Sequence, residues 1–309
     1  MARKIIYILA LAGVLVASAR GGPAQEDADM RNRKLTPEEV RVIERRGTEA
    51  PFGGKYDQHF ETGVYSCKRC GAALFLSEQK FKSSCGWPSF DGEIPGAVER
   101  RPDLDGVRTE IVCARCGAHL GHVFEGENLT PNNLRHCVNS ISMEFIPAEQ
   151  VGRAIFAGGC FWGVEYRLER AAGVISTTAG YTGGAGERPS YEEVCTHTTG
   201  HAEAVEVLFD RRLTSFEELA RLFFEIHDPT QLDRQGPDIG DQYRSEIFYF
   251  DQRQKDTAQA LIDALEKKGL NIATRLEPAT TFWSAEDYHQ DYYRKNNSEP
   301  YCHIRTKRF

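Results

Sequence analysis

The chain has 309 residues, of which 40% are hydrophobic and 27% are charged, and its formal net charge is −7. This composition is typical of a globular chain with enough apolar residues for two cores, and it excludes a low-complexity chain. Because nucleic-acid-binding proteins normally carry a basic surface, the acidic balance argues against a nucleic-acid partner. The nine cysteines are an odd number, so they cannot all pair with one another.

Residues 1–19 have the pattern of a secretory signal peptide. A short basic start precedes a run of 15 apolar residues, and the run ends in the small-x-small sequence Ala-Ser-Ala. The polar residues 20–33 are expected to form a flexible tether. An uncleaved membrane anchor is the alternative, but the apolar run is short for a span. We therefore expect an exported protein, periplasmic or extracellular, that has no stable membrane insertion once the signal is removed.

Residues 34–148 predict one helix followed by short strands. Thr36 and Glu39 form a capping box at the start of the helix. The short apolar segments that follow are separated by glycine, proline and asparagine, which favours a mainly antiparallel β domain. The last segment, CVNSISMEF, alternates in polarity, so it predicts one strand with Cys137 and Asn139 on the same face.

After a short polar linker at 149–152, strands and helices alternate over residues 153–309. Strands are expected at RAIFAG, VISTTAGY, AEAVEVLFD, SEIFYF and NIATRLEP, and helices at FWGVEYRLERA, FEELARLFFEI and 251–269. Strand-helix-strand-strand-helix-strand is the ferredoxin-like order. The sequence therefore predicts a mixed architecture, in which an antiparallel β domain precedes an α+β ferredoxin-like domain.

Two C-x-x-C-G segments lie in the first half. Two residues between thiolates let one tight turn present both sulfur atoms to a single tetrahedral ion. Two disulfides are the alternative, and export makes that alternative more plausible. The glycine after each pair favours a metal turn, so we expect one structural Zn²⁺ held by Cys67, Cys70, Cys113 and Cys116. Four thiolates leave no open position, so this ion would stabilise the domain without entering the chemistry.

The segment GGCFWG places Cys160 where a strand ends and a helix begins. Free backbone N–H groups and the positive end of the helix stabilise a thiolate there, which predicts a lowered pKa and a nucleophilic sulfur. Phe161 and Trp162 would form an apolar wall beside the sulfur that could hold a methyl group. A buried core cysteine with two core aromatics is the alternative.

The second half resembles the A-type methionine sulfoxide reductases. The resemblance runs through GGCFWGVE, AGYTGG, SYEEVC, GHAEAV, QGPDIGDQYRS, AEDYHQDYY and PYCH. It implies that Cys160 attacks the sulfoxide, that Phe161 and Trp162 bind its methyl group, and that Glu203 gives a proton to its oxygen. It also implies that three further residues bind and polarise the sulfoxide: Tyr191, Asp238 and Tyr243. Without the resemblance, Glu203 would read as a solvent-facing strand carboxylate.

The first half resembles the B-type enzymes that carry out the same reaction. The segments concerned are LTPEEVRVIERRGTEAPF, SCGWPSF, CGAHLGHVF and RHCVNS. The resemblance implies Cys137 as nucleophile with Asn139 beside it, His119 and His122 as acid and electrostatic groups, and Trp87 as the methyl wall. Arg135 would favour the Cys137 thiolate. A zinc-ribbon interaction module without activity is the alternative for this half.

The implied chemistry accounts for two of the three remaining cysteines. Attack on a sulfoxide leaves a sulfenic acid, which a second cysteine converts to a disulfide that an external dithiol reduces. The resemblance implies that Cys85 resolves Cys137 and that Cys302 resolves Cys160. Many A-type relatives carry a second tail cysteine, whereas this sequence offers a cycle with one resolving residue. Cys195 is left over, and we expect it to be a small core residue.

The resemblance implies a bifunctional repair enzyme. Residues 153–309 would reduce the S-sulfoxide of methionine and residues 34–148 the R-sulfoxide, because each epimer needs its own enzyme. The substrates would be oxidised methionines in proteins or peptides, and the reductant a thioredoxin-like protein of the cell envelope. No organic cofactor is expected. A thiol–disulfide oxidoreductase is the alternative, but the chain lacks a thioredoxin-like active-site C-x-x-C before a helix.

Overall fold

The computed structural model describes residues 34–309, so the predicted signal peptide and tether lie outside the described residues. Within this range, no helix has the length and apolar character needed to cross a membrane. The described part of the chain contains two large apolar cores, one in each half.

The first half is a short helical turn followed by strands. The Thr36 hydroxyl accepts a hydrogen bond from the amide of Glu39, and the Glu39 carboxylate accepts one from the amide of Thr36, so the predicted capping box is confirmed. The helix α1 (Pro37–Glu39) continues as one π-helical turn, Val40–Glu44. The strands are β1 (Gly63–Cys67), β2 (Ala73–Leu76), β3 (Lys80–Phe81), β4 (Ser89–Phe90), β5 (Val98–Pro102), β6 (Thr109–Cys113), β7 (His119–Glu125), β8 (Leu134–Val138) and β9 (Met143–Pro147).

These strands form two antiparallel sheets, which confirms the mainly antiparallel prediction for this half. One sheet has the order β2-β1-β9 and the other the order β3-β4-β8-β7-β6-β5. Tyr65, Phe75 and Phe90 are fully buried in the core that both sheets share, and Phe75 stacks on Phe90 with ring centroids 4.4 Å apart. Burial of several such rings supplies a large part of the stability of a domain of this size.

The segment CVNSISMEF is not one strand, so the prediction that Cys137 and Asn139 share a strand face is wrong. β8 ends at Val138, a 3₁₀ turn follows at Ser140–Ser142, and β9 belongs to the other sheet. The cause is Glu49, whose carboxylate accepts hydrogen bonds from the backbone amides of Ser140 and Ile141 at 2.5 and 3.0 Å. A carboxylate that is distant in sequence thus caps the turn between the two sheets.

The second half alternates strands and helices largely as predicted. Its elements are β10 (Val151–Gly158), α2 (Phe161–Leu168), β11 (Val174–Thr182), α3 (Tyr191–Cys195), β12 (Ala202–Asp210), α4 (Phe216–Ile226), β13 (Arg234–Gln235), β14 (Asp238–Ile239), β15 (Ser245–Tyr249), α5 (Gln252–Glu266), β16 (Arg275–Pro278), β17 (Trp283–Ser284) and α6 (Tyr292–Lys295). β10 begins inside the segment predicted as a linker. The predicted strand NIATRLEP is shorter than expected, because only its last four residues pair with β15.

The main sheet of this half is mixed, with the strand order β16-β15-β10-β12-β11-β17. β15 and β16 run parallel, whereas the other neighbouring strands are antiparallel. Apolar residues of α2, α4 and α5, such as Phe223 and Leu261, pack with sheet residues such as Phe156 and Val205. This packing fixes the end of β10 and the start of α2, where Cys160 lies.

A smaller apolar cluster joins the two halves. Val64 and Ile146 of the first half pack with Ile175, and Val151 and Leu208 lie against them. Because these side chains come from the β2-β1-β9 sheet and from the mixed sheet, the two halves are in contact.

Candidate active sites

Cys160 lies at the junction of β10 and α2, as the sequence predicts. Gly159 has φ +96°, a conformation that favours glycine. Cys160 occupies the N-cap position of α2, although its side chain makes no capping hydrogen bond. The thiol is 8% exposed. Burial raises its pKa and the carboxyl group of Glu203 raises it further, whereas the backbone N–H of Trp162 lowers it. The prediction of a lowered pKa is therefore wrong for this state, because desolvation outweighs the helix end.

Glu203 lies on β12 and is 2% exposed, which rules out a solvent-facing carboxylate. The backbone N–H of Phe161 donates a hydrogen bond to its Oε2 at 3.0 Å. Burial, as the main cause, raises the pKa of Glu203 to about 8. The side chain is thus protonated at neutral pH and can donate a proton beside Cys160.

The polar residues predicted to bind the sulfoxide surround the same two groups. Burial, followed by the charge of Glu203, raises the pKa values of the Tyr191 and Tyr243 hydroxyls. The two tyrosines share a hydrogen bond. Asp238 accepts hydrogen bonds from the Tyr301 hydroxyl at 3.3 and 3.4 Å, and burial raises its pKa. The structure therefore brings together donor hydroxyls and carboxyl groups from separate segments.

The aromatic wall includes two residues that the sequence analysis did not single out. Phe161 is 1% exposed and lies against the His289 ring at 5.0 Å. The indole of Trp162 stacks on Tyr292 at 3.7 Å with an interplanar angle of 4°, and its N–H donates to Nδ1 of His289 at 2.9 Å. His289 and Tyr292 fall in AEDYHQDYY, a segment noted only as part of the resemblance, and its dense aromatic content was the available signal.

Cys195 is not the core residue that the sequence analysis expected. It is half-buried at the end of α3, and its thiol shares a hydrogen bond with Tyr191. Tyr191 and Cys195 are four residues apart on α3, so they lie on the same face of this helix.

In the first half, the side chains proposed for catalysis lie on one face of the second sheet. Cys137 of β8 pairs with His122 of β7 on one side and with Ser89 of β4 on the other. His119 and His122 are three residues apart, which on a regular strand would place them on opposite faces. A bulge in β7 puts them on the same face, with ring centroids 5.7 Å apart.

Each histidine is held by a carboxylate that the sequence analysis missed. Nδ1 of His119 lies 2.7 Å from Glu110, and Nε2 of His122 lies 2.8 Å from Asp103. Burial lowers the pKa of His119 despite its contact with Glu110. Glu110 of β6 pairs with His122 of β7, a register that the sequence alone does not show.

The two thiols of this half are already close. The Sγ atoms of Cys85 and Cys137 lie 3.9 Å apart, and the hydroxyls of Ser83 and Ser89 lie 3.0 and 3.5 Å from Cys85. The contact with Cys137 is the main cause that lowers the pKa of Cys85 to about 4, and the same contact raises the pKa of Cys137. The charge and hydrogen bond of Arg135 oppose this increase in the pKa of Cys137. The pair therefore holds one negative charge at neutral pH.

Trp87 and Asn139 are both anchored to the segment around Glu49. The indole N–H of Trp87 donates to the Glu49 carbonyl oxygen at 3.1 Å. Oδ1 of Asn139 accepts from the Glu49 amide at 3.0 Å, and Nδ2 donates to the Leu120 carbonyl oxygen at 3.0 Å. Because both ends of the Asn139 amide are engaged, this residue orders the segment that supports Trp87.

The four cysteines of the C-x-x-C-G segments meet at one point. Their Sγ atoms all lie within 4.8 Å of one another, and the Cys67–Cys116 and Cys70–Cys113 distances are both 3.7 Å. A tetrahedron with metal–sulfur bonds of about 2.3 Å has edges of about 3.8 Å, so the sulfur spacing fits zinc. All nine cysteines are free thiols, which is against the two-disulfide alternative.

Each C-x-x-C turn is closed by its glycine. Gly71 and Gly117 have φ +76° and +70°, and their amides donate to the carbonyl oxygens of Cys67 and Cys113 at 2.8 Å. A β-carbon at either glycine would meet no atom within 4 Å, so the conformation of the turn, and not space, requires glycine.

Comparison with known proteins assigns both halves. The family described as "Peptide methionine sulfoxide reductase" matches residues 152–309. The chain belongs to this family. The "SelR domain", the B-type methionine sulfoxide reductase domain, matches residues 35–147. The chain is thus a fusion of B-type and A-type methionine sulfoxide reductase domains, and it carries the activities for both the R and the S epimer of the sulfoxide.

Curated relatives match the A-type half. The peptide methionine sulfoxide reductase MsrA of Nautilia profundicola is 49% identical over 150 residues, which cover 48% of this chain and 87% of the relative. The MsrA of Methanosarcina acetivorans is 50% identical over 152 residues, which cover 48% of this chain and 81% of the relative. The crystal structure of reduced Mxr1 from Saccharomyces cerevisiae aligns with a TM-score of 0.49 and 33% identity, covering 52% of this chain and 94% of Mxr1.

Proposed function

We propose that each half of this bifunctional methionine sulfoxide reductase completes its own thiol cycle. The supporting observation is that each half brings a cysteine, a proton donor and an aromatic wall together, and that a second cysteine lies close by. In the A-type half the nucleophile is Cys160, and in the B-type half it is Cys137. The alternative of a thiol–disulfide oxidoreductase leaves the buried acid Glu203 and the aromatic walls without a purpose.

In the A-type half, Cys160 loses its proton and attacks the sulfoxide sulfur, while protonated Glu203 donates its proton to the oxygen. Neutral Glu203 fits this role because burial raises its pKa to about 8. The Tyr191 and Tyr243 hydroxyls donate hydrogen bonds to the oxygen, and the half-buried carboxyl of Asp238 helps to polarise it. Methionine leaves and Cys160 becomes a sulfenic acid.

The aromatic wall selects the methyl sulfoxide. Phe161 and Trp162 offer apolar faces beside Cys160, and the stacked Tyr292 holds the indole in one orientation. The sulfur of the substrate must reach the buried thiol of Cys160. An aromatic wall that holds the methyl group of the sulfoxide fixes the position of this sulfur and so orients it for attack.

In the B-type half, Cys137 attacks the opposite epimer. His119 and His122 lie on the same sheet face as Cys137, and His119 serves as the proton donor while His122 stabilises the developing charge. Trp87 forms the methyl wall, and we assign Asn139 the positioning of its support. Arg135, which is 8% exposed, favours the thiolate.

The resolving cysteines complete each cycle. Cys85 condenses with the sulfenic acid of Cys137, and Cys302 with that of Cys160, which forms a disulfide and water in each half. A thioredoxin-like dithiol then restores the thiols by exchange. Export, based on the signal-peptide pattern of residues 1–19, would require this reductant to lie in the cell envelope, with oxidised envelope proteins as substrates.

Two structural assignments belong to the same proposal. We propose one Zn²⁺ at Cys67, Cys70, Cys113 and Cys116, where it would tie the ends of β1 and β6 together. We also propose the ferredoxin-like class for the A-type half, because β10, β11, β12 and β15 lie in the antiparallel order β15-β10-β12-β11 with helices α2 and α4 as crossovers.

The deciding experiment assays Cys137→Ser and Cys160→Ser on the two resolved sulfoxide epimers of a methionine peptide. We expect Cys137→Ser to lose reduction of the R epimer and Cys160→Ser that of the S epimer, each by on the order of 10³-fold or more. Each variant keeps the other activity as its own folding control. The proposal fails if either variant loses both activities or neither. Normal R activity in Cys137→Ser would favour an interaction module for the first half.

A further inference from the structure

His303, the residue after Cys302, is buried against the catalytic helix of the A-type half. It is 4% exposed and has φ +61°, so the chain turns sharply to insert the ring. A β-carbon at Gly163 of α2 would lie 2.3 Å from Nδ1 of His303. The last glycine of GGCFWG therefore leaves the space that this ring fills.

The hydrogen bonds of His303 fix its tautomer. Nε2 lies 2.8 Å from the carbonyl oxygen of Gly158, which can only accept, so Nε2 carries the proton. In a neutral ring, Nδ1 then has a free lone pair. This nitrogen lies 2.8 Å from Sγ of Cys302, which can donate its thiol proton to it.

We propose that His303 is the base that removes the thiol proton of Cys302 when Cys302 attacks the sulfenic acid at Cys160. The proposal rests on the proposed function of the A-type half and extends it by assigning a catalytic residue to its second step. His303 touches the reacting thiol, whereas nothing in the first step requires it.

The surroundings of the pair favour a neutral base and an undissociated thiol. Burial lowers the pKa of His303 to about 4 and raises that of Cys302 to about 11. The titratable groups that face the pair are Arg167 of α2, Asp238 of β14 and His227 after α4, together with the Cys160 thiol and the hydroxyls of Tyr293 and Tyr301. Arg167 opposes a charge on His303 and favours one on Cys302. An imidazolium–thiolate pair is thus not the resting form, and the proton moves in the same step in which the disulfide forms.

The step balances without a further reactant. The Cys302 sulfur forms a bond to the Cys160 sulfur as its proton passes to Nδ1 of His303. The S–O bond of the sulfenic acid breaks, and the departing hydroxide takes a proton to leave as water. His303 thereby returns to its neutral form. The Cys160 sulfur is reduced by one unit and the Cys302 sulfur is oxidised by one unit.

The test separates the two steps in the full-length chain. In a Cys137→Ser background, the S epimer of a methionine sulfoxide peptide is mixed with the enzyme without reductant, and a thiol-blocking reagent stops the reaction. Methionine released and the Cys160–Cys302 disulfide formed are both counted against time at pH 6, 7 and 8. His303→Gln keeps an N–H at the Nε2 position for Gly158 but provides no base. His197→Gln, at a histidine that is 49% exposed, is the matched control.

We expect His303→Gln to release methionine at the rate of the control while forming the disulfide at least about tenfold more slowly at pH 7. The parent and His197→Gln form the disulfide at a rate nearly independent of pH. In His303→Gln the rate rises about tenfold per pH unit, because attack then depends on free thiolate. The proposal is overturned if His303→Gln forms the disulfide as rapidly as the control and at a rate that does not change with pH. It is also overturned if methionine release and disulfide formation slow equally, because His303 would then only anchor the tail. Absence of methionine release from the parent would instead overturn the proposed function.

Discussion

In the B-type half, the thiol of Cys85, which we propose as the resolving group, lies 3.9 Å from Cys137. Cys85 lies just before β4, which pairs with β8, so the sheet itself holds the two sulfur atoms together. In the A-type half, Cys302 lies on the tail beyond α6, and a buried histidine anchors it. The sheet supplies a preformed pair of thiols, whereas in the tail we propose that the neighbouring His303 serves as a local base for Cys302.

The two halves also differ in where they keep the proton that the sulfoxide needs. In the A-type half, burial raises the pKa of Glu203 to about 8, so this carboxyl group is neutral at pH 7. The B-type half pairs His119 with Glu110 and His122 with Asp103. Burial thus makes the acid in one half, whereas in the other half carboxylates orient two histidines. If the halves are independent, damage to one should leave the activity of the other intact, and if their acids differ, their activities should depend differently on pH.

Loss of one metal ligand is expected to have the largest effect, and only in the first half. Structural zinc supplies about 10–16 kcal/mol of apparent binding free energy at such sites, which is similar to the whole stability of a domain. We expect Cys70→Ser to lower bound zinc from about one per chain to near zero and to abolish R-sulfoxide reduction. Reduction of the S epimer should remain within about threefold, because the A-type half has its own core.

The control for this prediction is Glu78→Ser, an exposed position in the same half. It should retain zinc, measured by metal analysis, and both activities. Loss of both activities in Cys70→Ser would contradict independence. Unfolding of the first half would then disturb the second half where the two meet. Cys70 and Cys116 line a cavity of about 420 Å³ there, together with the A-type residues Tyr166 and Arg294.

Removal of the buried acid should affect only the second half. Glu203→Gln keeps an oxygen that can accept from the Phe161 amide but cannot donate a carboxyl proton. We expect the rate of methionine release from the S epimer to fall about 10²–10⁴-fold, the usual contribution of a positioned acid. Single-turnover release measures this rate directly. Glu206→Gln, on the same strand and paired with Arg153 near the surface, should change it by less than about twofold.

Much of this architecture follows from local sequence signals. The bounds of β12 and α4 match the predicted segments because alternation and a Ser215–Glu218 capping box are local features. The four-cysteine cluster follows in the same way from spacing and glycines. Features that depend only on nearby residues, such as these elements and this cluster, are therefore found where the sequence predicts them.

The failures of prediction have distant causes. CVNSISMEF is broken by Glu49, which is about 90 residues away in sequence. The raised pKa of Cys160 depends on burial and on Glu203, neither of which the helix-start pattern contains. His119 and His122 share a face only because β7 carries a bulge opposite β6. Burial and register are set by tertiary packing, so no window along the sequence reveals them.

The pH dependence of the two activities should separate the two kinds of acid. In the A-type half, the reactive form keeps one proton, on Glu203, and none on Cys160. Because the pKa of Glu203 is about 8 and that of Cys160 is raised further, this pair holds two protons below pH 8 and must lose one. Methionine release from the S epimer should therefore rise with pH up to about 8 and then level.

The B-type half should not show this rise. The thiol pair of Cys85 and Cys137 already holds a single proton at neutral pH, since the pKa of Cys85 is lowered to about 4. Burial lowers the pKa of His119, so its protonated form is lost as pH rises above that value. Single-turnover release measured at pH 6 and 8 should give a ratio of S to R rates that increases at least about tenfold over this interval. A constant or falling ratio would mean that the two halves draw on acids of similar pKa, and the distinction between a buried carboxyl and paired histidines would lose its functional meaning.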